Sequence, residues 1–113
     1  MVATSTLPRP VNNPIIADIT VNLKLLSTAR GGRAEALPGG EYRGILSARG
    51  QHFSFRCELP AGTGLALGES CKLEVEFLFP DLALPFFKHN DEFNLWETGT
   101  VGYGRVLKVH RQV

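Results

Sequence analysis

Alternation of apolar and polar residues is the feature that most restricts what this chain can fold into. It is clearest over residues 71–79, where every second side chain from Cys71 to Phe79 is apolar, with Lys72, Glu74 and Glu76 between them. A period of two residues predicts a β-strand with one apolar face, because successive side chains of a strand point to opposite sides of the sheet. Such a face has to be covered by a second sheet, or by closure of the same sheet into a barrel.

The same pattern recurs along most of the chain. It predicts strands over residues 18–26, 42–48 and 52–59, and a final hairpin that ends near Val109. Glycine and proline interrupt the pattern at residues 28–40, 60–68 and 80–91, which we interpret as loops. Six short strands without a convincing helix predict an all-β fold, a six-stranded antiparallel barrel, with a two-sheet sandwich as the alternative.

The final hairpin carries the strongest sign of closure. Its turn is predicted at Thr98 and Gly99, where a tight two-residue connection would require the glycine to adopt a positive φ. In the strand that follows, Gly102 and Gly104 lie on one face. Two glycines at this spacing allow a neighbouring strand or side chain to approach closely, as the last strand of a small closed sheet requires.

Length and composition describe one globular domain. The 113 residues are 43% hydrophobic and 20% charged, with a net charge of +1 and no apolar run long enough to cross a bilayer. Residues 1–16, which include Pro8, Pro10 and Pro14, are interpreted as an extended or disordered lead-in, and residues 17–113 as a single barrel domain. The N-terminus lacks the pattern of a secretory signal, so we expect a cytoplasmic protein with reduced cysteines.

No residue pattern points to catalysis or to a bound cofactor. The phosphate-binding patterns of P-loop and dinucleotide-binding proteins are absent, and the glycines at 99–104 lie on a hairpin without a helix N-terminus. His89, Asp91 and Glu92 form the one local group of potential metal ligands, a grouping that is common by chance. Cys57 lies on an apolar face, where a thiol is inert. We therefore expect no catalytic, cofactor-binding or metal-binding residues and no enzyme activity.

Arginine and aromatic side chains are the better indication of function. Basic residues, mostly arginine, predominate over residues 24–56, and acidic residues predominate over residues 69–97. Trp96 is expected on the outer face of its strand, and the loop residues 86–87 are two phenylalanines that look exposed. Such side chains are enriched at protein and RNA interfaces. Two alternatives do not involve binding. The arginines could be charges on the outer faces of strands that contact only solvent, and Trp96 could pack beneath the lead-in.

Six stretches stand in a consistent order along the predicted strands. They are Leu25-Leu26-Ser27 with Gly31-Gly32-Arg33, Tyr42-Arg43, Phe53-Ser54-Phe55-Arg56, Leu67-Gly68-Glu69, Phe93 through Glu97, and Thr100-Val101-Gly102-Tyr103-Gly104. Together they resemble the C-terminal β-barrel domain of translation elongation factor Tu, over residues 18–109. The resemblance implies a six-stranded Greek-key barrel, and the alternation pattern independently indicates a barrel of six strands.

In that family the domain binds the acceptor and T-stem side of aminoacyl-tRNA and the nucleotide-exchange factor, without a catalytic role. The resemblance therefore implies macromolecule-binding residues at Arg33, Tyr42, Arg43, Trp96 and Glu97. Trp96 replaces a residue that is usually basic, and the turn after Glu97 is one residue shorter than the family's turn and lacks its arginine. The family's GTPase domain has no counterpart in these residues, so GTP is not an expected ligand.

The leading hypothesis is a non-catalytic binding module that engages a protein through this arginine and aromatic surface. A tRNA is the alternative ligand, less favoured because one barrel lacks the domains that grip the rest of the tRNA. Neither DNA nor a membrane is expected as a partner. A second hypothesis is a mimic or immunity-type protein that intercepts a partner of elongation factor Tu, and the third is a small enzyme.

Overall fold

The computed structural model describes residues 14–111 and contains six β-strands with little helix. The strands are β1 (Ile19–Leu25), β2 (Gly40–Ala48), β3 (Gln51–Leu59), β4 (Ser70–Phe77), β5 (Glu92–Trp96) and β6 (Thr100–Val109). They close into an antiparallel barrel in the order β1-β4-β3-β2-β5-β6. The all-β class and the closed six-stranded barrel predicted from the alternation are confirmed, and the sandwich is not formed.

The connection after β4 differs from the predicted loop. It contains a short helix α1 (Pro80–Ala83) and a 3-10 turn (Leu84–Phe86), and another 3-10 turn (Thr28–Arg30) follows β1. Pro80 occupies the first helical position, where its fixed φ suits a helix and its missing N–H is not needed. Part of the segment that was interpreted as a loop is therefore a helical turn that begins at Pro80. None of the helices within residues 14–111 has the length and apolar character needed to cross a membrane.

The core fills the inside of the barrel with the apolar face of every strand. Its largest fully buried side chains include Phe77 and Phe87. Phe87, which looked exposed in the sequence, has no solvent exposure, because its ring lies 4.9 Å from Phe77 and 5.8 Å from Phe93. Phe86 is half-buried against Phe53, with a centroid separation of 5.1 Å. The helical turn after β4 thus closes one end of the barrel with an aromatic plug.

The close approach predicted for the final strand occurs where β6 meets β1. A Cβ atom added to Gly104 would lie 2.2 Å from the carbonyl oxygen of Asn22 and 2.8 Å from the Phe93 ring. Gly99 differs from the prediction, because its φ is not among the positive values in the structure. The reason is a longer connection: Trp96 pairs with Thr100 across a register shift, which leaves three residues in the turn. The two-residue turn that would have required a positive φ at Gly99 is therefore not formed.

Asp18 ties the start of β1 to both neighbouring strands. Its backbone N–H donates to the carbonyl of Val75 at 2.8 Å, and its carboxylate accepts the Phe77 N–H at 2.8 Å. Its carbonyl accepts the N–H of His110 at 2.9 Å, and its carboxylate lies 3.5 Å from Arg111. Although fully buried, this carboxylate has charge-assisted partners, which is what makes its burial tolerable.

Substitution of Gly104 by alanine should destabilise the barrel by about 3 kcal/mol, because the added methyl meets a backbone oxygen that cannot move without disturbing β1. The matched control is Gly99→Ala, whose Cβ would meet nothing within 4 Å. The control should stay within about 0.5 kcal/mol of the parent. Urea unfolding followed by circular dichroism measures both, and equal stability of the two variants would contradict the close contact.

Candidate macromolecule-binding site

The candidate site lies on the outside of the barrel, where two pairs of strands share only short ladders. β3 and β4 pair at Phe55–Phe77 and Arg56–Glu76, and β2 pairs with β5 at three positions, from Ile45–Trp96 to Ser47–Asn94. An open groove of about 500 Å³ lies over this region. We call it the outer groove; its lining includes Arg43, Ile45, Arg56, Glu76, Leu78, Trp96 and Glu97.

A buried ion pair forms the β3–β4 side of the outer groove. Arg56 and Glu76 are cross-strand partners on the outward face, with 3.0 Å between Nη2 and Oε1, and their side chains are only 7% and 4% exposed. They are covered by the chain that leads into β1: the carbonyl of Pro14 accepts a hydrogen bond from Arg56 at 3.0 Å, and the N–H of Ile16 donates to Glu76 at 3.0 Å. The expectation that outward charges are solvated is therefore wrong for this pair.

Trp96 forms part of the opposite side of the outer groove, on β5. Its neighbours Phe93 and Leu95 are buried in the core, and Trp96 pairs with Ile45 on β2. The indole is half-buried and lies beside the His52 ring, with centroids 4.8 Å apart at 39°. The predicted outward placement of Trp96 agrees with the geometry. The alternative that it packs beneath the lead-in concerns mainly residues 1–13, which lie outside the described residues.

Three of the predicted site residues contact one another at the end of the outer groove. The Tyr42 hydroxyl donates to Glu97 Oε2 at 3.0 Å, and Arg33 Nε lies 3.3 Å from Glu97 Oε1. Arg33 is held in place by its loop, because its carbonyl accepts the Thr28 hydroxyl at 2.8 Å. The Tyr42 ring extends over Gly44, where a Cβ would touch it at 2.8 Å. Burial and the bond to Glu97 raise the pKa of Tyr42 above its ordinary value.

Arg43, the remaining predicted residue, lies apart from this cluster and faces the outer groove from β2. Its side chain is 60% exposed and bonds to Glu41, which also lies 3.5 Å from Arg56. The hydrogen bond from Arg43 is the main reason that the pKa of Glu41 is lowered. Glu41 was not among the predicted site residues. The sequence does contain a sign of this contact: Glu41 stands two residues before Arg43, so the two side chains lie on the same face of the strand.

The charges of the outer groove are therefore balanced within the chain. Arg56 is paired with Glu76 and Glu41, and Arg43 with Glu41. The rest of the lining is largely apolar, with Ile45 and Trp96 exposed to the opening. A groove with compensated cations and an aromatic wall suits an uncharged or amphipathic segment better than a polyphosphate chain, which requires unpaired cations.

The cysteine and the two acidic residues that were considered for chemistry are either unreactive or already bonded within the chain. Burial raises the pKa of the Cys57 thiol to about 12, and both cysteines are free. The Asp91 carboxylate accepts the Lys88 N–H at 2.9 Å, and Glu92 pairs with Arg105 at 2.6 Å. Within residues 14–111, no group of three or more histidine, cysteine or acidic side chains is placed to hold a metal ion.

No protein-family model matches the chain, and no curated protein matches it.

The Tyr42–Glu97 bond predicts a measurable loss of stability at alkaline pH. Because the pKa of Tyr42 is raised in the folded state, folding favours the neutral phenol. This stabilisation is complete below the ordinary tyrosine pKa of about 10 and declines as the pH rises above it. Urea unfolding at pH 9 and pH 11 should show a larger loss for the parent than for Tyr42→Phe. An equal loss would contradict a buried, acceptor-bound hydroxyl.

Proposed function

We propose that this barrel is a non-catalytic binding module whose outer groove receives a segment of a protein partner. The single observation that carries the proposal is the arrangement of Trp96 and Ile45 beside the balanced pair of Arg56 and Glu76. The groove also holds a partly buried tryptophan, Trp96, together with an exposed arginine, Arg43. Tryptophan and arginine are the residues from which the high-affinity centres of protein interfaces are built. The groove of about 500 Å³ is also large enough for several side chains of a partner.

The pairing of the charged side chains in the outer groove favours a protein partner over RNA. Phosphate binding depends on cations that release counterions, and the arginines of the outer groove already have carboxylate partners. A tRNA is the second candidate, because the resemblance to elongation factor Tu implies it. Its candidate contact is Arg33, whose side chain is 25% exposed although it is paired with Glu97.

We also propose that the barrel is of the Greek-key type found in the C-terminal domain of elongation factor Tu. This is supported by the strand order, in which β2, β3 and β4 are successive neighbours while β1 lies beside β4. A cytoplasmic location is part of the same proposal, because it provides access to partners of that factor and keeps Cys57 and Cys71 reduced.

Affinity capture followed by direct binding measurement tests the protein hypothesis. The partner retained by the parent protein should bind Trp96→Ala and Arg43→Ala at least about tenfold more weakly, a loss of about 1.4 kcal/mol. Arg43 is exposed, so its variant is expected to fold even if removal of Trp96 disturbs the barrel. The matched control is Leu107→Ala, an exposed apolar residue on β6 that does not line the outer groove. Equal weakening by the control would contradict the assignment.

Gel-shift titration with tRNA at several salt concentrations tests the second candidate. If phosphate contacts dominate, affinity should fall steeply as salt rises, and Arg33→Ala should reduce that slope. An absence of binding at low salt rules out the tRNA hypothesis. If no protein partner is captured either, the proposal of a binding module fails.

A further inference from the structure

A second groove, which shares no residue with the outer groove, lies between β6 and the 3-10 turn Leu84–Phe86. Its volume is about 810 Å³. We call it the basic groove, because its lining combines four basic side chains with an apolar floor. The basic residues are Lys88, His89, Lys108 and Arg111, and the floor includes Leu84, Pro85, Leu107 and Val109.

The basic groove differs from the outer groove in the pairing of its charges. Lys88, His89 and Lys108 are exposed, and none of them forms an ion pair with a carboxylate in the described part of the chain. Arg111 differs, because it lies 3.5 and 3.7 Å from two aspartates. Among the described residues, no carboxylate lines this groove. The two lysines therefore provide a positive charge that attracts an anion.

Lys88 and His89 belong to a turn that is fixed to β6. The Asp91 N–H donates to the Lys88 carbonyl, and the Asp91 carboxylate accepts the Lys88 N–H, both at 2.9 Å. Asn90 completes the turn in the left-handed conformation, with a φ of 71°. Its N–H donates to the Val106 carbonyl at 2.8 Å, and the Val106 N–H donates to the Asp91 carbonyl at 2.9 Å. The backbone that carries these basic side chains is thus already ordered, so little of its entropy is lost on binding.

A β-bulge in β6 supplies the other side of the basic groove. On β1, Val21 pairs with Val106, and the residue before Val21 pairs with Lys108. Leu107 is therefore an extra residue that interrupts the alternation of the strand. Leu107 and Lys108, although consecutive, are both exposed and both line the groove. Bulges re-aim side chains in this way and are common beside functional sites. The bulge places an apolar and a cationic side chain next to each other on the surface.

This combination of side chains selects among the possible anions. A nucleic-acid strand is bound through its phosphates and through bases that stack on aromatic side chains, but Phe87, the one aromatic residue in the described lining, is fully buried. A free inorganic anion would leave the exposed Leu107 and Pro85 uncovered. A peptide that carries both carboxylates and apolar side chains matches Lys88, Lys108 and the floor at the same time.

We propose that the basic groove binds an acidic segment of a protein, in which carboxylates flank an apolar side chain. The carboxylates pair with Lys88 and Lys108, and the apolar side chain covers Leu107. This site is additional to the proposed function of the outer groove. Because the two grooves are lined by different residues, a variant of one leaves the ligand of the other bound as before.

Titration of the full-length protein with a synthetic peptide, acetyl-Gly-Glu-Glu-Leu-Asp-Phe-Glu-Gly-amide, tests the proposal without knowledge of a natural partner. In two-dimensional NMR spectra of the isotope-labelled protein, the largest shifts should fall on the amides of residues 88–91 and 105–109. A neutral peptide with glutamine and asparagine in place of the acids should bind at least about fivefold more weakly. A third peptide, with serine in place of leucine and phenylalanine, should also bind more weakly, because it leaves the floor uncovered.

Charge variants of the protein provide the second arm. Lys88→Gln/Lys108→Gln should bind the acidic peptide about fivefold more weakly, because each exposed ion pair contributes only modestly. The matched control, Lys24→Gln/Lys72→Gln, removes the same charge from exposed lysines of β1 and β4 that do not line the basic groove. At about 0.15 M salt, which screens distant charges, the control should bind like the parent.

Each outcome bears on the proposal. The expected shifts, together with weaker binding by the neutral peptide and by the variant of the basic groove, support it. Shifts that fall elsewhere on the barrel, equal binding of the acidic and neutral peptides, or equal weakening by the control variant overturn it. Tighter binding of a single-stranded oligothymidylate than of the acidic peptide overturns the assignment to a protein segment and identifies a nucleic-acid strand as the occupant. None of these readouts involves Trp96 or Arg43, so they leave the test of the outer groove unaffected.

Discussion

Closure of the sheet is the constraint on which the rest of the structure depends. Each strand has one apolar face, and all six faces are hidden inside because the last strand of the barrel meets the first. The contact requires Gly104 to face the carbonyl of Asn22 without a side chain between them. Closure is accompanied by short ladders elsewhere, at β3–β4 and β2–β5, and the outer groove lies where those ladders are short. The same geometry that completes the core thus leaves an opening on the surface.

The alternation pattern predicted the strands and the barrel because it reports which side of a strand is apolar. It does not report what covers the other side. Arg56 and Glu76 point outward as predicted, yet they are buried because Pro14 and Ile16, 42 and 60 positions away, lie over them. Phe87 is buried for a similar reason, since a helical turn that starts at Pro80 folds it into the end of the barrel. Local periodicity holds no information about contacts of that range.

The candidate site likewise contains contacts that the sequence predicted and contacts that it did not. Tyr42 and Glu97, separated by 55 positions, share a hydrogen bond, and Arg33 lies beside them, so three of the five residues implied by the resemblance contact one another. Arg43 is on the opposite face of its strand from Tyr42, and its partner is Glu41 rather than this cluster. Glu41 and Glu76, which neutralise the arginines of the outer groove, were absent from the prediction. Their effect is large, because they neutralise the arginines whose unpaired charge phosphate binding would require.

The bonds of Asp18 bring the start of β1 and the end of β6 to the same place. His110 donates to the carbonyl of Asp18, and Arg111 lies near its carboxylate. Asp18 precedes the first residue of β1, yet its contacts reach β4 and the residues that follow β6. Removal of this one carboxylate would therefore loosen three strands at the same end of the barrel, so the seam that closes the sheet depends on a residue outside the β1–β6 ladder.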